Sequence, residues 1–450
     1  MALSLIIWIA TAAFLLAVLT QRWWEPRLAA RGVRVPRRLD GVRALPWRWW
    51  LLGYPRVALR LLFTWKQVAQ LTGLSVSLRP SQRIVGRDLV VQGQALKPKP
   101  PRLGFPSPTR TGLRLRVVLH AGQVPTPFLS AAPAMEHAWR VHGVRVISPR
   151  RGEVLITVTA VDPLTGRYSQ VPRDAGSGEL LTADVGRLED GGAWVLRFRR
   201  VPHWLITGAT RSGKSVLLSA LVRDLAPQPV ALVGIDLKGG MELAPLSARF
   251  TALATDATQA AELLDAVVTE IQARTRICRT ARVRNIWELP AGQRPVPLVV
   301  LVDEVAELYL TDGTRESKEL SERCGTLLLR VAQLGAALGC HLVVSGQRVG
   351  ADLGPRVTAL RAQLGGRIAH RQHDEASAEM TLGDIHPDAV VVAQSITEDE
   401  QGVAVTTAGG QWLRARSHLI TTADIAAINA HGLPDDPFTA GTPVLSGDTP

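Results

Sequence analysis

The first twenty residues include the longest uncharged apolar stretch of the chain. Residues 2–20 carry no charged side chain, and as a helix with ~1.5 Å rise per residue they extend ~28 Å, close to the ~30 Å core of a bilayer. An arginine-rich segment follows at 22–38, and positive charge stays on the cytoplasmic side of a membrane. We therefore predict a single transmembrane anchor at 1–21 in the cell (cytoplasmic) membrane, with the N-terminus outside and the body of the chain in the cytoplasm. A cleaved signal peptide is the alternative, but no basic segment precedes the run and no A-x-A site is evident.

A second apolar stretch, at 44–65, is interrupted by Pro55 and by three arginines. These charges make a second transmembrane span too costly. We expect the stretch to lie at the membrane interface with its tryptophans partly immersed, and the alternative is a helix packed on the body of the protein. With the proline-rich connector at 98–108, it gives a predicted basic, tryptophan-rich juxtamembrane region and linker at 22–108.

Alternating polar and apolar positions next predict a small α+β domain at 109–198. Its predicted elements are a strand at Leu113–Leu119, a helix at Phe128–His142, strands at Val144–Ile147 and Val154–Val161, and a hairpin at Leu180–Phe198 that leads into the following domain.

From residue 199 onward, short and wholly apolar runs alternate with longer segments of helical periodicity. Such runs are typical of strands buried on both faces of a parallel sheet. The predicted strands are His203–Thr207, Val230–Ile235, Leu298–Val302 and His341–Ser345, and the predicted helices are 216–225, 256–276 and 317–338. The alternation indicates an α/β domain with a mostly parallel sheet at 199–425, and 426–450 is predicted to be a disordered tail.

The segment between the first of these strands and its helix has the pattern G-x-x-x-x-G-K-[ST] of a phosphate-binding loop. The glycines let backbone N–H groups surround phosphates, and the helix N-terminus adds a favourable dipole. The loop predicts a site for ATP in which Lys214 contacts the β- and γ-phosphates and Ser215 binds Mg²⁺. The predicted nucleotide-binding residues are Gly208, Ala209, Thr210, Arg211, Ser212, Gly213, Lys214 and Ser215.

Polar residues follow three other predicted strands at the same edge of the sheet, with Asp236 and Lys238 after the strand at 230–235. Asp303 and Glu304 come directly after the strand at 298–302, and Gln347 follows the strand at 341–345. Since the carboxyl ends of parallel strands meet at one edge, we predict that Asp303 binds Mg²⁺, that Glu304 polarises the attacking water, and that Gln347 senses the γ-phosphate or its water.

Charge and cysteine content narrow the class of protein. Basic residues outnumber acidic ones by 52 to 39, a net charge of +13, and eleven basic against two acidic residues at 21–66 account for +9 of it. Only six of the 52 basic residues are lysines, so each lysine stands where arginine is the usual choice. Three widely spaced cysteines exclude a disulfide framework or a zinc site and indicate a reducing compartment for the body of the chain.

Two weaker patterns leave alternatives open. His370 and His373 have a spacing found in metal sites, but no third or fourth ligand is evident, and we interpret them as ordinary surface residues. Five arginines at 274–284 form a basic cluster, which is equally consistent with contacts to a DNA backbone and with a solvated helix face.

With its phosphate loop, Asp303-Glu304, IDLKGG at 235–240 and SGQR at 345–348, the chain resembles the FtsK/SpoIIIE family of DNA translocases over about 109–416. The resemblance implies a RecA-like motor domain, a hexameric ring around double-stranded DNA, and an ATP site at each subunit boundary. It also implies that an arginine of the neighbouring subunit neutralises charge at the γ-phosphate. Arg367 is our first choice for this role and Arg348 our second.

The sequence departs from the family in three ways. Arg211 stands where the family usually has glycine, one membrane span replaces several, and the expected tail is too short for a winged-helix reader of DNA sequence. These features resemble FtsK-like conjugative transfer proteins of the TraB/TraSA type.

We therefore predict a membrane-anchored, ATP-driven translocase that moves plasmid or integrative-element DNA between cells during conjugation. A protein-exporting ATPase of a type VII-like system, a chromosome segregation translocase and a non-enzymatic scaffold are the alternatives. A single phosphate loop argues against the first, the absence of a winged helix against the second, and the intact hydrolysis residues against the third.

Overall fold

The computed structural model of the protein describes residues 11–13, 16, 20, 53–76, 98–109, 111–160, 162, 164, 179–354, 356–383, 385–408 and 411–438. The chain divides into two compact units, 1–163 and 164–450. Within these described ranges, none of the helices combines the length and the apolar character needed to cross a bilayer. The predicted anchor at 1–21 lies outside the described residues except at 11–13, 16 and 20.

The first unit is a small α+β domain whose strands form an antiparallel sheet. Its helices are α1 (Tyr54–Leu71), α2 (Thr126–Ser130) and α3 (Ala132–Trp139), and its strands are β1 (Arg102–Leu103), β2 (Ser107–Pro108), β3 (Gly112–Val118), β4 (Gly143–Arg150) and β5 (Glu153–Thr159). Among the described residues the sheet order is β1-β3-β5-β4, with β2 also paired to β3. The predicted strands of this domain are confirmed, and the predicted helix is broken into two short helices.

Helix α1 belongs to the core of this domain, so the interfacial interpretation of 44–65 is wrong for the part of it that is described. Val57, Leu61, Trp65 and Val68 recur at helical spacing and are buried with residues of β3 and β5. The indole N–H of Trp65 donates to the carbonyl of Pro101 at 2.9 Å. The pattern of arginines and tryptophans shows an amphipathic helix, but not whether lipid or protein covers its apolar face.

The proline-rich segment at 98–108 is also part of this sheet, contrary to its assignment as a linker. β1 and β2 both pair with β3, and the backbone N–H of Gly104 donates to the carbonyl of Arg116. Prolines are tolerated here because edge strands leave one row of backbone groups unpaired.

The second unit contains one large mixed sheet. Its strands are β6 (Thr182–Leu188), β7 (Ala193–Arg197), β8 (His203–Thr207), β9 (Ala231–Ile235), β10 (Ala252–Ala254), β11 (Leu298–Val302), β12 (Cys340–Gly346), β13 (Gly366–His370), β14 (Val403–Ala408) and β15 (Gln411–Ser417). Across the described part of this unit their order is β10-β9-β11-β12-β8-β13-β14-β15-β6-β7. The strands from β10 to β13 are parallel, and those from β14 to β7 are antiparallel additions.

Helices cover both faces of this sheet. They are α4 (Lys214–Leu225), α5 (Ala257–Ala281), α6 (Arg315–Leu334), α7 (Val357–Gln363), α8 (Glu375–Leu382), α9 (Pro387–Ser395) and α10 (Thr422–Asn429), and the 3₁₀ helices are Ala244–Arg249, Ile286–Glu288, Ala291–Gln293, Val305–Tyr309, Ala336–Leu338 and Ala351–Leu353. Side chains of β11 alternate between two cores: Val300 and Val302 pack with α5 and α6, and Val299 and Leu301 pack with α4. This burial on both faces accounts for the unbroken apolar runs in the sequence.

Two predicted boundaries of this domain are wrong. The hairpin at 180–198 was assigned to the small domain, but β6 pairs with β15 of the large sheet. The predicted tail at 426–450 begins too early, because α10 continues to Asn429 and Phe438 is buried in the core with α5 and α6. Residues 439–450 lie outside the described part of the chain.

Candidate nucleotide-binding and hydrolysis site

The phosphate loop connects the buried strand β8 to α4, and its two glycines are required by space as well as by backbone conformation. Gly208 has φ +159° and Gly213 has φ +111°. A Cβ on Gly208 would lie 2.7 Å from His370 Cβ, and one on Gly213 would lie 2.6 Å from Gly402 Cα. No larger residue fits at either position without moving the loop.

Arg211 occupies a left-handed backbone conformation, with φ +61°, and its side chain is exposed. This conformation costs a residue with a Cβ roughly 1–2 kcal/mol relative to glycine. The preference of related loops for glycine at this position therefore has a backbone cause, and this chain keeps arginine in spite of it.

A cavity of about 550 Å³ lies beside the loop. The loop itself forms one wall, and the other lining residues are Val216, Glu242, Gln401, Gly402, Arg416, Ser417 and Leu419. Helix α4 begins at Lys214, so the first backbone N–H groups of the helix are available to phosphate oxygens. The dimensions and the loop chemistry fit a nucleoside triphosphate.

The Lys214 ammonium donates to the carbonyls of Gly208 and Ala209, at 2.6 Å and 3.3 Å. Burial lowers the pKa of Lys214, and the nearby carboxylates of Glu304 and Asp303 oppose that shift. Phosphate oxygens carry more charge than carbonyls and are the better acceptors. We expect the ammonium to exchange the two carbonyls for phosphate when nucleotide binds.

The sheet order places the predicted hydrolysis residues beside the loop. β12 lies between β8 and β11, pairing Gly346 with Thr207 and Val344 with Val302. The three strands therefore end at one edge. The backbone N–H of Gln347 donates to Glu304 Oε1 at 3.2 Å, and the Gln347 side chain is exposed.

Carboxylates are concentrated at this edge, and their electrostatics fit a divalent cation. Burial, followed by the charges of Asp236 and Glu242, raises the pKa of Asp303 to about 6. The described residues contain no cluster of three or more His, Cys, Asp or Glu side chains able to hold a metal on their own. Mg²⁺ is commonly held by one or two protein oxygens together with phosphates and water, and Asp303 and Ser215 are the residues predicted for that role.

A layer of polar side chains beneath the loop was not predicted from the sequence. His370 is fully buried, with Nδ1 at 3.1 Å from the carbonyl of Val403, and burial and then the charge of Lys214 lower its pKa to about 3. Gln372 Nε2 donates to Thr207 Oγ1 at 2.8 Å. Strand β13 brings these residues to the loop by pairing with β8, and no local pattern in the sequence predicts that pairing.

The two arginines considered for action across a subunit boundary differ in their surroundings. Arg367 is buried on β13 and donates to the carbonyl of Arg361 at 2.8 Å. Arg348 is half exposed, and its Nε lies 3.7 Å from Asp352 Oδ2. The predicted role of Arg367 requires it to leave a buried position, whereas Arg348 is already accessible.

The structure also shows where the arginine cluster at 274–284 and the pair of His370 and His373 lie. Arg274 is fully buried and pairs with Glu270 at 2.7 Å, so it is a structural residue of α5, while Arg276, Arg279 and Arg282 are exposed. His373 is exposed and His370 is buried. His370 is the last residue of β13, so the interpretation of both histidines as surface residues is wrong for His370, whereas His373 lies between β13 and α8.

Two family models match the sequence. The actinomycete conjugal transfer protein N-terminal domain matches residues 42–160, and the FtsK/SpoIIIE family matches residues 169–294 and 287–351. Transfer protein TraSA of Streptomyces ambofaciens is 40% identical over 397 residues, covering 85% of this chain and 94% of that protein. A sporulation regulatory protein of Streptomyces azureus is 44% identical over 260 residues, covering 57% of this chain and 84% of that protein.

Among solved structures, the monomer form of the pCW3 conjugation coupling protein TcpA with ATPγS is similar, with a TM-score of 0.51 and 18% identity. The match covers 83% of this chain and 98% of that one. At this identity the likeness concerns the fold, and it extends over both units described above.

Proposed function

This chain belongs to the FtsK/SpoIIIE family, among the actinomycete conjugal transfer proteins, and from that premise we propose that it is an ATP-driven translocase of double-stranded DNA in conjugation. It is an ATPase by family, and the proposal adds the substrate that the motor moves. The observation that carries the proposal is the meeting of the phosphate loop, Asp303 and Glu304 at one edge of the sheet.

In this proposal each residue at this edge of the sheet has its own role in ATP hydrolysis. Backbone N–H groups of the loop and the Lys214 ammonium would bind the phosphates, and Ser215 and Asp303 would hold the cation. Mg²⁺ held there would supply positive charge that stabilises the negative charge developing on the phosphates. Glu304 accepts a hydrogen bond from the attacking water and orients it in line with the bond that breaks, and Gln347 contacts the γ-phosphate or that water.

The proposal predicts ATP hydrolysis that double-stranded DNA of any sequence stimulates. The full chain is the material to use, because removing residues 1–66 would cut through α1 and expose the core of the first unit. Lys214→Ala should abolish turnover by removing a phosphate ligand, whereas Lys318→Ala, at an exposed position on α6, should leave turnover unchanged. A rate of ATP hydrolysis that is the same with and without DNA, over a wide range of DNA lengths and salt concentrations, would contradict the proposal.

We propose that the motor is held at the cytoplasmic membrane by residues 1–21. The support is the uncharged run at 2–20 followed by arginines. After extraction of membranes with alkaline carbonate, the full chain should stay in the pellet and a chain lacking residues 1–21 should not. Release of the full chain would overturn this part of the proposal.

We also propose a hexameric ring in which an arginine completes the site of the neighbouring subunit. Accessibility favours Arg348, and the family resemblance favours Arg367. Mixing Lys214→Ala subunits with subunits altered at the acting arginine should restore part of the turnover, since some boundaries then combine two intact halves. A mixture that stays inactive with either arginine variant, in rings confirmed by mass measurement, would exclude action in trans.

A further inference from the structure

The turn after β9 brings a lysine against the predicted water-polarising carboxylate. Lys238 Nζ lies 3.3 Å from Glu304 Oε2, with the Lys238 side chain 40% exposed and that of Glu304 5% exposed. The other carboxylate oxygen accepts the backbone N–H of Gln347. Each oxygen of Glu304 is thus engaged by a protein donor, so the carboxylate that has to polarise water is already occupied.

The backbone that carries Lys238 is held in place, so only its side chain is free to move. Asp236 is fully buried, and its carboxylate accepts the backbone N–H groups of Lys238, Glu242 and Leu243 at 3.2, 2.9 and 3.0 Å. The closed turn passes through Gly239 and Gly240, which have φ +71° and +75°.

The same turn also faces the nucleotide cavity, which Glu242 lines. Its outermost side chain, Met241, is 80% exposed. Burial lowers the pKa of Lys238, but the charge and hydrogen bond of Glu304, together with the charges of Asp303 and Glu307, outweigh burial and the net shift of the pKa is upward. The ion pair therefore favours the charged lysine in the resting protein.

We propose that Lys238 restrains Glu304 in the resting site, and that hydrolysis requires this ion pair to open. Lysine suits such a restraint better than arginine, because it offers a single mobile point charge, whereas a guanidinium grips both oxygens of a carboxylate. Lys238 is one of only six lysines among 52 basic residues. It acts through Glu304 and is a positioning residue.

The inference rests on the proposed ATPase function and has its own test. In the full chain without DNA, Lys238→Ala should raise kcat about fivefold, the lower end of typical coupling between sites. The Kd for a fluorescent ATP analogue should not change, since no phosphate ligand is removed. Lys238→Arg should keep the restraint and give a kcat no higher than that of the unaltered protein.

Two controls separate this role from others. Lys238→Ala combined with Glu304→Gln should be as inactive as Glu304→Gln alone, because the gain passes through Glu304. Lys318→Ala should leave the DNA-independent rate unchanged. If the unaltered protein hydrolyses ATP but Lys238→Ala lowers kcat or weakens binding of the analogue, Lys238 contacts the nucleotide and the restraint is refuted. If the unaltered protein has no turnover, the proposed function fails instead.

Discussion

Among the residues of the phosphate loop, Arg211 has a side chain that does not suit its backbone conformation. Its left-handed backbone favours glycine, and the exposed side chain offers no buried contact in return. Arg211→Gly should therefore raise the free energy of unfolding by up to about 1 kcal/mol, the strain relieved less the added entropy of the unfolded glycine. Urea denaturation measures this difference.

The adjacent Thr210 supplies a matched control, since it is not among the residues with positive φ. Thr210→Gly gains the same freedom in the unfolded chain without relieving strain, and it should destabilise the protein. Equal effects of the two glycine substitutions would show that Arg211 is not strained.

Three buried histidines make stability depend on pH. Burial lowers the pKa of His203 to about 4, and that of His341 and His370 to about 3, from ~6.5 in an unfolded chain. Below pH ~6.5 the unfolded chain binds protons that the folded chain does not. The contribution of these three neutral histidines to the free energy of unfolding is therefore fully present above pH ~6.5, and it is progressively lost as the pH falls towards 4.

The urea midpoint should accordingly be lower at pH 5.5 than at pH 7.5. His341→Met should reduce the difference between the two midpoints, because the unfolded chain then binds one proton fewer in this range. His431→Gln, at an exposed position, should leave the difference unchanged. An unaltered difference in His341→Met would mean that His341 does not contribute.

Among the elements, α5 carries a buried ion pair whose arginine contacts three other segments. The Arg274 guanidinium pairs with Glu270 and also donates to the carbonyls of Leu338, Val296 and Pro437. Arg274→Met removes the cation paired with the buried Glu270 carboxylate, so we expect the unfolding free energy to fall by about 3–5 kcal/mol. Arg276→Met, on the exposed face of the same helix, should change it by less than about 0.5 kcal/mol.

The pairing itself is tested by a double substitution. Arg274→Met with Glu270→Leu removes both charges, and it should recover a large part of the lost stability. A double variant as unstable as Arg274→Met alone would assign the loss to the three carbonyl contacts instead.

The central strands were predictable from sequence because each is buried on both faces. The runs at 203–207 and 298–302 coincide with β8 and β11. Strands β14 and β15 were not predicted, and the hairpin of β6 and β7 was recognised but assigned to the wrong domain. The junction of β6 with β15 depends on pairing between residues more than 200 positions apart, such as Gly186 with Ser417, which local patterns do not encode.

The residues of the site likewise divide into those whose position local sequence predicts and those whose position it does not. The phosphate loop, Asp303 and Glu304 are adjacent to their strands in sequence, so their convergence could be predicted. Lys238 likewise follows its strand, β9, whereas His370 and Gln372 reach the site through the order of the strands. The contacts of all three became visible only in the structure.

For the whole molecule, the proposed motor converts hydrolysis at this site into movement of DNA. Family membership and the arrangement of the hydrolysis residues make the protein an ATPase, and neither demonstrates movement. The step from turnover to transport is therefore the central claim.

Displacement of a triplex-forming oligonucleotide from linear double-stranded DNA tests that claim most directly, since a moving motor strips the third strand as it passes. We expect the full chain to release the oligonucleotide in the presence of ATP and Mg²⁺, and Lys214→Ala and Glu304→Gln to leave it bound. Sustained DNA-stimulated ATP hydrolysis without any release of the third strand would contradict a translocating motor.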